Sequence, residues 1–295
     1  MTGKIVLITG ANSGIGFEAA VRIARMGAHI VMVARNRQKA EAAIVAARER
    51  SGSDKFSLML CDVSSTDDVR RLATEIPAKI PRLDVLVNNA GSVNDARRLT
   101  GEGLEQTFAA NYLGHFLLTH LLLPLLKSSP PSRIVNVSSM AHRQGTLDFD
   151  NLQFEKGGYS TMKAYSRSKL AQILFTHELA RRLAGTGVTV NSLHPGAVAT
   201  RIWSHAPWFT RPVLAVAQLF MLTPEQGAER VVYLAMSPEV EGETGGYYDK
   251  NRRVEPSALA RDGAIAARLW DESVKLTQPV STRPGDSRGA GKPTI

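Results

Sequence analysis

Tyr165 and Lys169 stand four residues apart in the run Tyr165-Ser166-Arg167-Ser168-Lys169. On a helix that spacing puts both side chains on one face, a turn apart. A phenol is a poor base near neutrality, with an ordinary pKa of about 10. A neighbouring ammonium favours its anion, so the pair could hand a proton to a forming alkoxide or take one from an alcohol. Alone the spacing is weak, because such pairs also arise on solvated helix faces. Its context adds weight. Upstream, the apolar run 133–137 reads as a strand ending in Ser138-Ser139. Carboxyl ends of strands in an open α/β sheet border the ligand crevice, where a hydroxyl can hold a substrate carbonyl.

A second chemical signal lies at the N-terminus. Thr9-Gly10-Ala11-Asn12-Ser13-Gly14-Ile15-Gly16 follows a short apolar run and opens a helical pattern. Gly10 permits a sharp turn, Gly14 lets the backbone approach a pyrophosphate, and Gly16 lets helix pack close on strand. The helix N-terminus then offers free N–H groups and partial positive charge to a phosphate. The spacing is G-x-x-x-G-x-G rather than G-x-G-x-x-G, and a plain Gly-rich turn is the alternative. The next strand ends Val33-Ala34-Arg35-Asn36-Arg37, without the acid that would bind both ribose hydroxyls of NAD. A guanidinium suits a 2′-phosphate, so Arg35 points to NADP(H); a solvated helix start is the other reading of Arg35.

These signals need a scaffold, and strand-like and helical runs alternate to supply one. Lys4–Thr9, His29–Ala34, Phe56–Leu60, Asp84–Val87, Arg133–Ser138 and Val188–Leu193 read as strands, with Thr244–Tyr248 as a last edge strand. Ile15–Met26, Asn36–Arg50, Thr66–Ile76, Gly103–Lys127, Ser160–Ala184 and Pro224–Met236 read as helices. The alternation predicts a single-domain, Rossmann-like α/β fold over 1–277: a doubly wound, mostly parallel sheet of about seven strands with helices on both faces. Gln278–Ile295 is rich in Pro, Gly, Ser and basic residues and reads as a flexible tail. Arg201–Thr223, rich in Trp, Phe, Pro and Leu, breaks the rhythm beside the expected crevice. It is expected to form a lid over a lipophilic substrate, with an oligomer contact, plain core or a membrane-surface contact as the alternatives.

Composition narrows the function classes. The 295 residues carry a formal net charge of +9. The basic residues are scattered in short groups such as Arg70/Arg71 and Arg252/Arg253, with no basic block or aromatic-interleaved stripe, which argues against a nucleic-acid partner. The single Cys61 follows an apolar run and reads as a core residue, and one cysteine allows no internal disulfide. A membrane span needs about 20 apolar residues. The runs Phe116–Leu126 and Val213–Leu222 fall short, and no signal-like n-region or h-region opens the chain. No transmembrane anchor, no bound metal and a cytoplasmic location are therefore expected.

The elements taken together resemble the short-chain dehydrogenase/reductases, and within them the retinol-dehydrogenase-like branch. The chain carries, in family order, TGANSGIG (9–16), CDVS (61–64), NNAG (88–91), NYLGHF (111–116), RIVNVSS (133–139), YSRSK (165–169) and HPG (194–196). The resemblance covers about residues 4–275. It implies a catalytic tetrad. Asn111 would be the helix-kinking asparagine that holds a relay water, and Ser139 the substrate-orienting serine, with Ser138 its neighbour. Tyr165 would be the acid/base, and Lys169 the residue that binds the nicotinamide ribose and tunes Tyr165. It also implies Asp62 and Val63 at the adenine, and Asn89, Ala90 and Gly91 along the central crevice. Pro195, Gly196, Val198 and Thr200 would hold the carboxamide end. His142 departs from the family pattern, which has glycine there; as a loop histidine it reads as structural or solvated, with an acid/base role as the alternative.

The expected activity is NADP(H)-dependent hydride transfer to or from a carbonyl or alcohol carbon of a small lipophilic molecule, in a homo-oligomer (dimer or tetramer). Two other functions fit the same pattern: a catalytically silent NADP-binding sensor or scaffold, and a C=C reductase like the protochlorophyllide reductases. Cofactor turnover separates the first, and product analysis the second.

Overall fold

A computed structural model describes residues 3–198 and 222–279. Six strands run in parallel through the centre: β1 (Ile5–Thr9), β2 (His29–Ala34), β3 (Phe56–Leu60), β4 (Val85–Asn88), β5 (Ser132–Val137) and β6 (Val188–His194). β7 (Tyr247–Asp249) joins them in parallel, and β8 (Arg252–Arg253) closes the edge antiparallel to β7. The sheet order is β3-β2-β1-β4-β5-β6-β7-β8. That makes eight strands where the sequence suggests about seven. The expected last strand at Thr244–Tyr248 is shifted to Tyr247–Asp249, because Gly245 and Gly246 are spent in the turn that brings Gly245 N onto Val190 O.

The central strands are apolar at nearly every position because both faces are covered. Alternate residues divide between two cores. Leu7, Val31, Val33, Leu86, Ile134 and Val190 point to one side. There they meet α3 (Thr66–Lys79), α5 (Gly114–Lys127), α6 (Thr161–Arg182) and α8 (Gly263–Leu276). Val6, Ile8, Ile30, Met32, Val85 and Val135 point to the other, against α1 (Gly14–Arg25), α2 (Arg37–Ser51) and α7 (Pro224–Met236). Thr223 starts α7 with a full capping box, accepting from Gln226 N while the Gln226 side chain accepts from Thr223 N.

The expected helix at 103–127 is not uniform. A single turn, α4 (Gln106–Phe108), passes into a π-helical turn at Ala109–Leu113 and then into α5. π-turns of this kind often mark functional sites, and Asn111 sits in this one. The joined helix Gln106–Lys127, with mean hydropathy 1.3 over its most apolar 18 residues, is long and apolar enough to cross a membrane by length and composition. This corrects the expectation that no stretch reaches that length. Within the fold, however, 72% of its most apolar stretch is buried. Phe116 there lies between Phe175 and Trp270, with ring centroids 5.4 and 5.0 Å away.

Cys61 is a buried free thiol, pushed up to about 12 by desolvation, as suits a small core residue rather than a nucleophile. Residues 280–295 of the expected tail lie outside the described residues, as do Thr200 and all of the expected lid except Leu222 and Thr223. The two ends of that stretch meet at the carboxyl end of β6: Val198 bridges Leu222 in parallel, and Leu222 N donates to Ala197 O at 2.8 Å.

Candidate active site

β1 and β4 lie side by side although β2 and β3 follow β1 in the chain, so the sheet's direction of winding reverses between them. The crevice at such a reversal is where open α/β sheets bind ligands. The phosphate loop enters it from β1. Gly10 adopts φ +67°, and a β-carbon there would sit 2.9 Å from Ala90 Cα. A β-carbon on Gly16 would collide with the Asn89 amide and the Gly10 carbonyl. Asn89 explains the tight fit, because its Nδ2 donates to Thr9 O at 2.8 Å. Ser13 begins α1 without capping any first-turn amide through its side chain. Asn12 is half-buried, Ser13 is exposed, and Ile15 packs against the core beside α7. An open-ended helix behind a glycine cradle is a donor set that fits a pyrophosphate.

Arg35 is exposed directly after β2 and has no hydrogen-bond or ion-pair partner among the described residues. The neighbouring Arg37 is instead committed to Glu41 at 3.3 Å. At the end of β3, the Asp62 carboxylate accepts from Ser64 N and Oγ at 2.9 and 2.7 Å, which fixes the turn that carries the buried Val63. Cradle, helix end and guanidinium thus lie at the carboxyl ends of β1 and β2, an arrangement that fits a phosphorylated dinucleotide.

The four residues of the implied tetrad come together at the ends of β4 and β5. Asn111 is fully buried in its π-turn, and its Oδ1 accepts from Ser92 N at 2.7 Å. Its Nδ2 donates to Ser92 O and to Ser168 Oγ, each at 3.0 Å. Ser168 Oγ in turn donates to Tyr165 O at 2.7 Å, so Asn111 is bolted to the helix that carries Tyr165. Gly91 lies between Asn111 and Lys169: a β-carbon on it would be 3.2 Å from Asn111 Oδ1 and 3.9 Å from Lys169 Nζ. The two serines after β5 divide their work. Ser138 is buried and donates to Lys169 O at 2.8 Å, whereas the Ser139 hydroxyl hydrogen-bonds the Tyr165 hydroxyl.

The electrostatics differ from the expectation of an ammonium-lowered phenol. Burial raises the Tyr165 pKa above its ordinary value, and the Ser139 hydrogen bond offsets this in part. Lys169 Nζ donates instead to Val137 O at 2.8 Å and Gln172 Oε1 at 3.1 Å. It lies 5.6 Å from the centroid of the Tyr165 ring. Desolvation brings the Lys169 ammonium down to about 7. Tyr165 therefore holds its proton at neutral pH, the state needed to protonate an alkoxide.

Beyond β6, Pro195 is buried and Gly196 takes φ +97°. Arg230 on α7 supports the turn by donating to His194 O at 3.0 Å and to Asp249 Oδ1 at 2.8 Å. Val198 is buried beside Leu222.

Several supporting residues have no role assigned from sequence, although Thr9, His115 and His194 stand inside the quoted motifs. His194 Nδ1 accepts from Met140 N at 3.3 Å and so steadies the backbone just after Ser139. His142 is not a partnerless loop histidine. It is fully buried in a 3-10 turn, with Nδ1 2.8 Å from Ser139 O and Nε2 accepting from Ser257 N at 3.1 Å. A carbonyl accepts only, so its Nδ1 carries the proton and the ring acts as a brace.

Burial lowers His115 and His194 to about 4. The unfolded chain then binds protons more readily than the fold. Their stabilising contribution is full above the ordinary value of 6.5 and is lost as pH falls toward 4. Melting temperature followed by circular dichroism is expected to drop by several degrees across that window. The drop should shrink in His194→Asn, whose amide oxygen reaches the Nδ1 position and still accepts from Met140 N but does not titrate. Equal drops in both proteins would refute this account.

Known proteins resemble this chain in sequence and fold. The short chain dehydrogenase family matches residues 4–207. Human retinol dehydrogenase 14 is 46% identical over 289 residues, covering 92% of this chain and 86% of that protein. Human retinol dehydrogenase 13 is 42% identical over 279 residues, covering 93% and 84%. Among solved structures, an uncharacterised protein from Mycobacterium paratuberculosis superposes with TM-score 0.75 at 35% identity, covering 94% of each chain. A short chain dehydrogenase from Shigella flexneri, complexed with NADP, gives TM-score 0.66 at 27% identity, covering 84% of this chain and 97% of that one. With a tyrosine, a lysine and a serine converging beside a dinucleotide cradle, the chain belongs to the short-chain dehydrogenases, in their retinol-dehydrogenase-like branch, and is an oxidoreductase of alcohol or carbonyl groups.

Proposed function

We propose that the protein transfers a hydride between NADP(H) and the carbonyl or alcohol carbon of a lipophilic substrate. The observation that carries this reading is the hydroxyl pair Ser139–Tyr165 at the carboxyl end of β5, with Lys169 buried one turn away. A bound nicotinamide cofactor supplies or accepts the hydride there. The chain's own groups handle the oxygen: Ser139 orients it and Tyr165 delivers or removes its proton. Protonated Tyr165 is the form that delivers a proton in carbonyl reduction, and its anion the form that takes one in alcohol oxidation.

The unpartnered Arg35 supports the choice of NADP(H), as does the NADP bound to the Shigella flexneri relative. The retinol dehydrogenase names of the relatives support an apolar substrate, and so does the apolar composition of the sequence at 201–223. A silent sensor or scaffold is disfavoured because Tyr165, Lys169, Ser139 and Asn111 are all present and assembled. The deciding experiment is turnover of NADPH and NADH against a panel of aldehydes, ketones and enones, with product analysis. Alcohol products supported by NADPH are expected; saturated ketones, or no turnover at all, would overturn the reading.

Substrate length gives a graded check. Each buried methylene adds about 0.8 kcal/mol, roughly fourfold in binding. Values of kcat/KM are therefore expected to climb along a series of straight-chain aldehydes until the site is filled. A flat series, or a preference for small charged carbonyl compounds, would remove the lipophilic assignment.

A further inference from the structure

The groups that bind and react sit on three separate segments: the loop after β1, the turn 88–91 after β4, and the π-turn at 109–113. His115, in the first turn of α5, ties the three together. It is 1% exposed. Its Nε2 lies 3.0 Å from Thr9 Oγ1, and its Nδ1 lies 3.2 Å from Asn111 O. The Asn111 carbonyl can only accept, so Nδ1 carries the proton and Nε2 is an acceptor. The Thr9 hydroxyl then donates to Nε2, since the alternative acceptor, Val87 O, is farther at 3.3 Å. The same Thr9 oxygen accepts from Asn89 N at 2.9 Å and from Ala90 N at 3.0 Å. One ring thus joins the strand entering the phosphate loop, the crevice turn and Asn111. Through Asn111 and Ser168 it reaches the helix of Tyr165 and Lys169.

Two effects keep this ring in its neutral form. Burial keeps the ring neutral, and the nearby Lys169 charge adds to that effect, outweighing the opposing pull of the Asn111 carbonyl. A protonated ring would have no lone pair for Thr9, and the hydroxyl would turn to Val87 O. A phenylalanine would fill the space but make neither bond.

We propose that His115 is a positioning residue whose Nε2 aligns the phosphate loop through Thr9 and whose Nδ1–H aligns Asn111 for turnover. This rests on the reading above that the site binds NADP(H). The two bonds leave the ring from opposite sides, so their effects are separable. In His115→Gln the amide oxygen reaches the Nε2 position, and in His115→Asn the amide nitrogen reaches the Nδ1 position.

The test titrates NADPH by fluorescence without substrate and measures kcat separately for His115→Gln, His115→Asn and His115→Phe. Losing one neutral hydrogen bond costs roughly threefold to tenfold. His115→Gln should keep NADPH affinity and lose kcat by that factor. His115→Asn should keep kcat and lose affinity, and His115→Phe should lose both. The proposal is overturned if His115→Phe matches the wild type in both readouts, or if all three variants lose affinity and kcat in the same proportion, as a purely structural role requires. If the wild type reduces no carbonyl compound, the functional reading fails by itself. The titration then still decides, since tight NADPH binding by the wild type and His115→Gln, but not by His115→Asn, supports the role of Nε2. Equal affinities of those two variants overturn it. Should His115→Phe fail to fold, the Gln and Asn variants carry the comparison.

Discussion

Replacing Tyr165 by phenylalanine is expected to lower turnover by at least ~10²–10⁴-fold, the usual contribution of a positioned proton donor. The change removes one hydroxyl and keeps the ring, so the packing of α6 is retained. The lost group is the one bonded to Ser139 and held protonated by burial. NADPH affinity should stay within about twofold, because no part of the phosphate cradle is touched. Single-turnover kinetics with fluorescence titration on the same preparation separate the two quantities. Near-normal turnover would mean that the proton comes from elsewhere, and the Ser139–Tyr165 pair would lose its meaning.

Cofactor preference is expected to change in Arg35→Asp. Charge-assisted hydrogen bonds contribute about 1.5–3 kcal/mol, or roughly tenfold to a hundredfold in affinity. Arg35 is exposed, and solvent screening places its effect toward the lower figure. The new carboxylate acts twice: it repels a 2′-phosphate, and it can accept from both ribose hydroxyls of NADH. NADPH should therefore weaken while NADH tightens. Dissociation constants for both cofactors, at fixed ionic strength, check this. A wild type that binds the two equally would show that Arg35 selects neither.

The fold was legible because its central strands are buried on both faces. Runs such as Ile5–Thr9 and His29–Ala34 are apolar throughout, and parallel pairing demands helices between them. Capping residues kept the helix boundaries close: Asn36, Ser65, Ser160 and Thr223 each accept from an amide three residues on. The π-turn at 109–113 left no mark in the apolar periodicity, because one extra residue per turn does not disturb it; only the resemblance, which implies a helix kink at Asn111, pointed there. The last strand, β8, was missed for a similar reason, since Arg252–Arg253 has no pattern to read.

The candidate site shows the same division. Side chains that react are recognisable by type and spacing. Side chains that hold them are not, because their partners are distant in sequence: His115 bonds across 106 residues to the Thr9 hydroxyl, and His142 across 115 to the Ser257 amide. The environment of Tyr165 was misjudged for that reason. Its spacing from Lys169 suggests a lowered phenol, but burial raises it, and the lysine Nζ donates to Val137 O and Gln172 Oε1.

The arginine pair at 252–253, weighed first as a feature for polyanions, ends the sheet as a two-residue strand running against β7. Arg253 is paired to Glu243 at 2.8 Å, and both arginines are exposed. An unpaired edge is a template on which another chain can add a strand, and short charged edges resist such addition. Such a border disfavours self-association by sheet extension on this side. Replacing the pair with β-branched apolar residues would turn a harmless border into a nucleus for aggregation, while every group in the catalytic crevice stayed where it is.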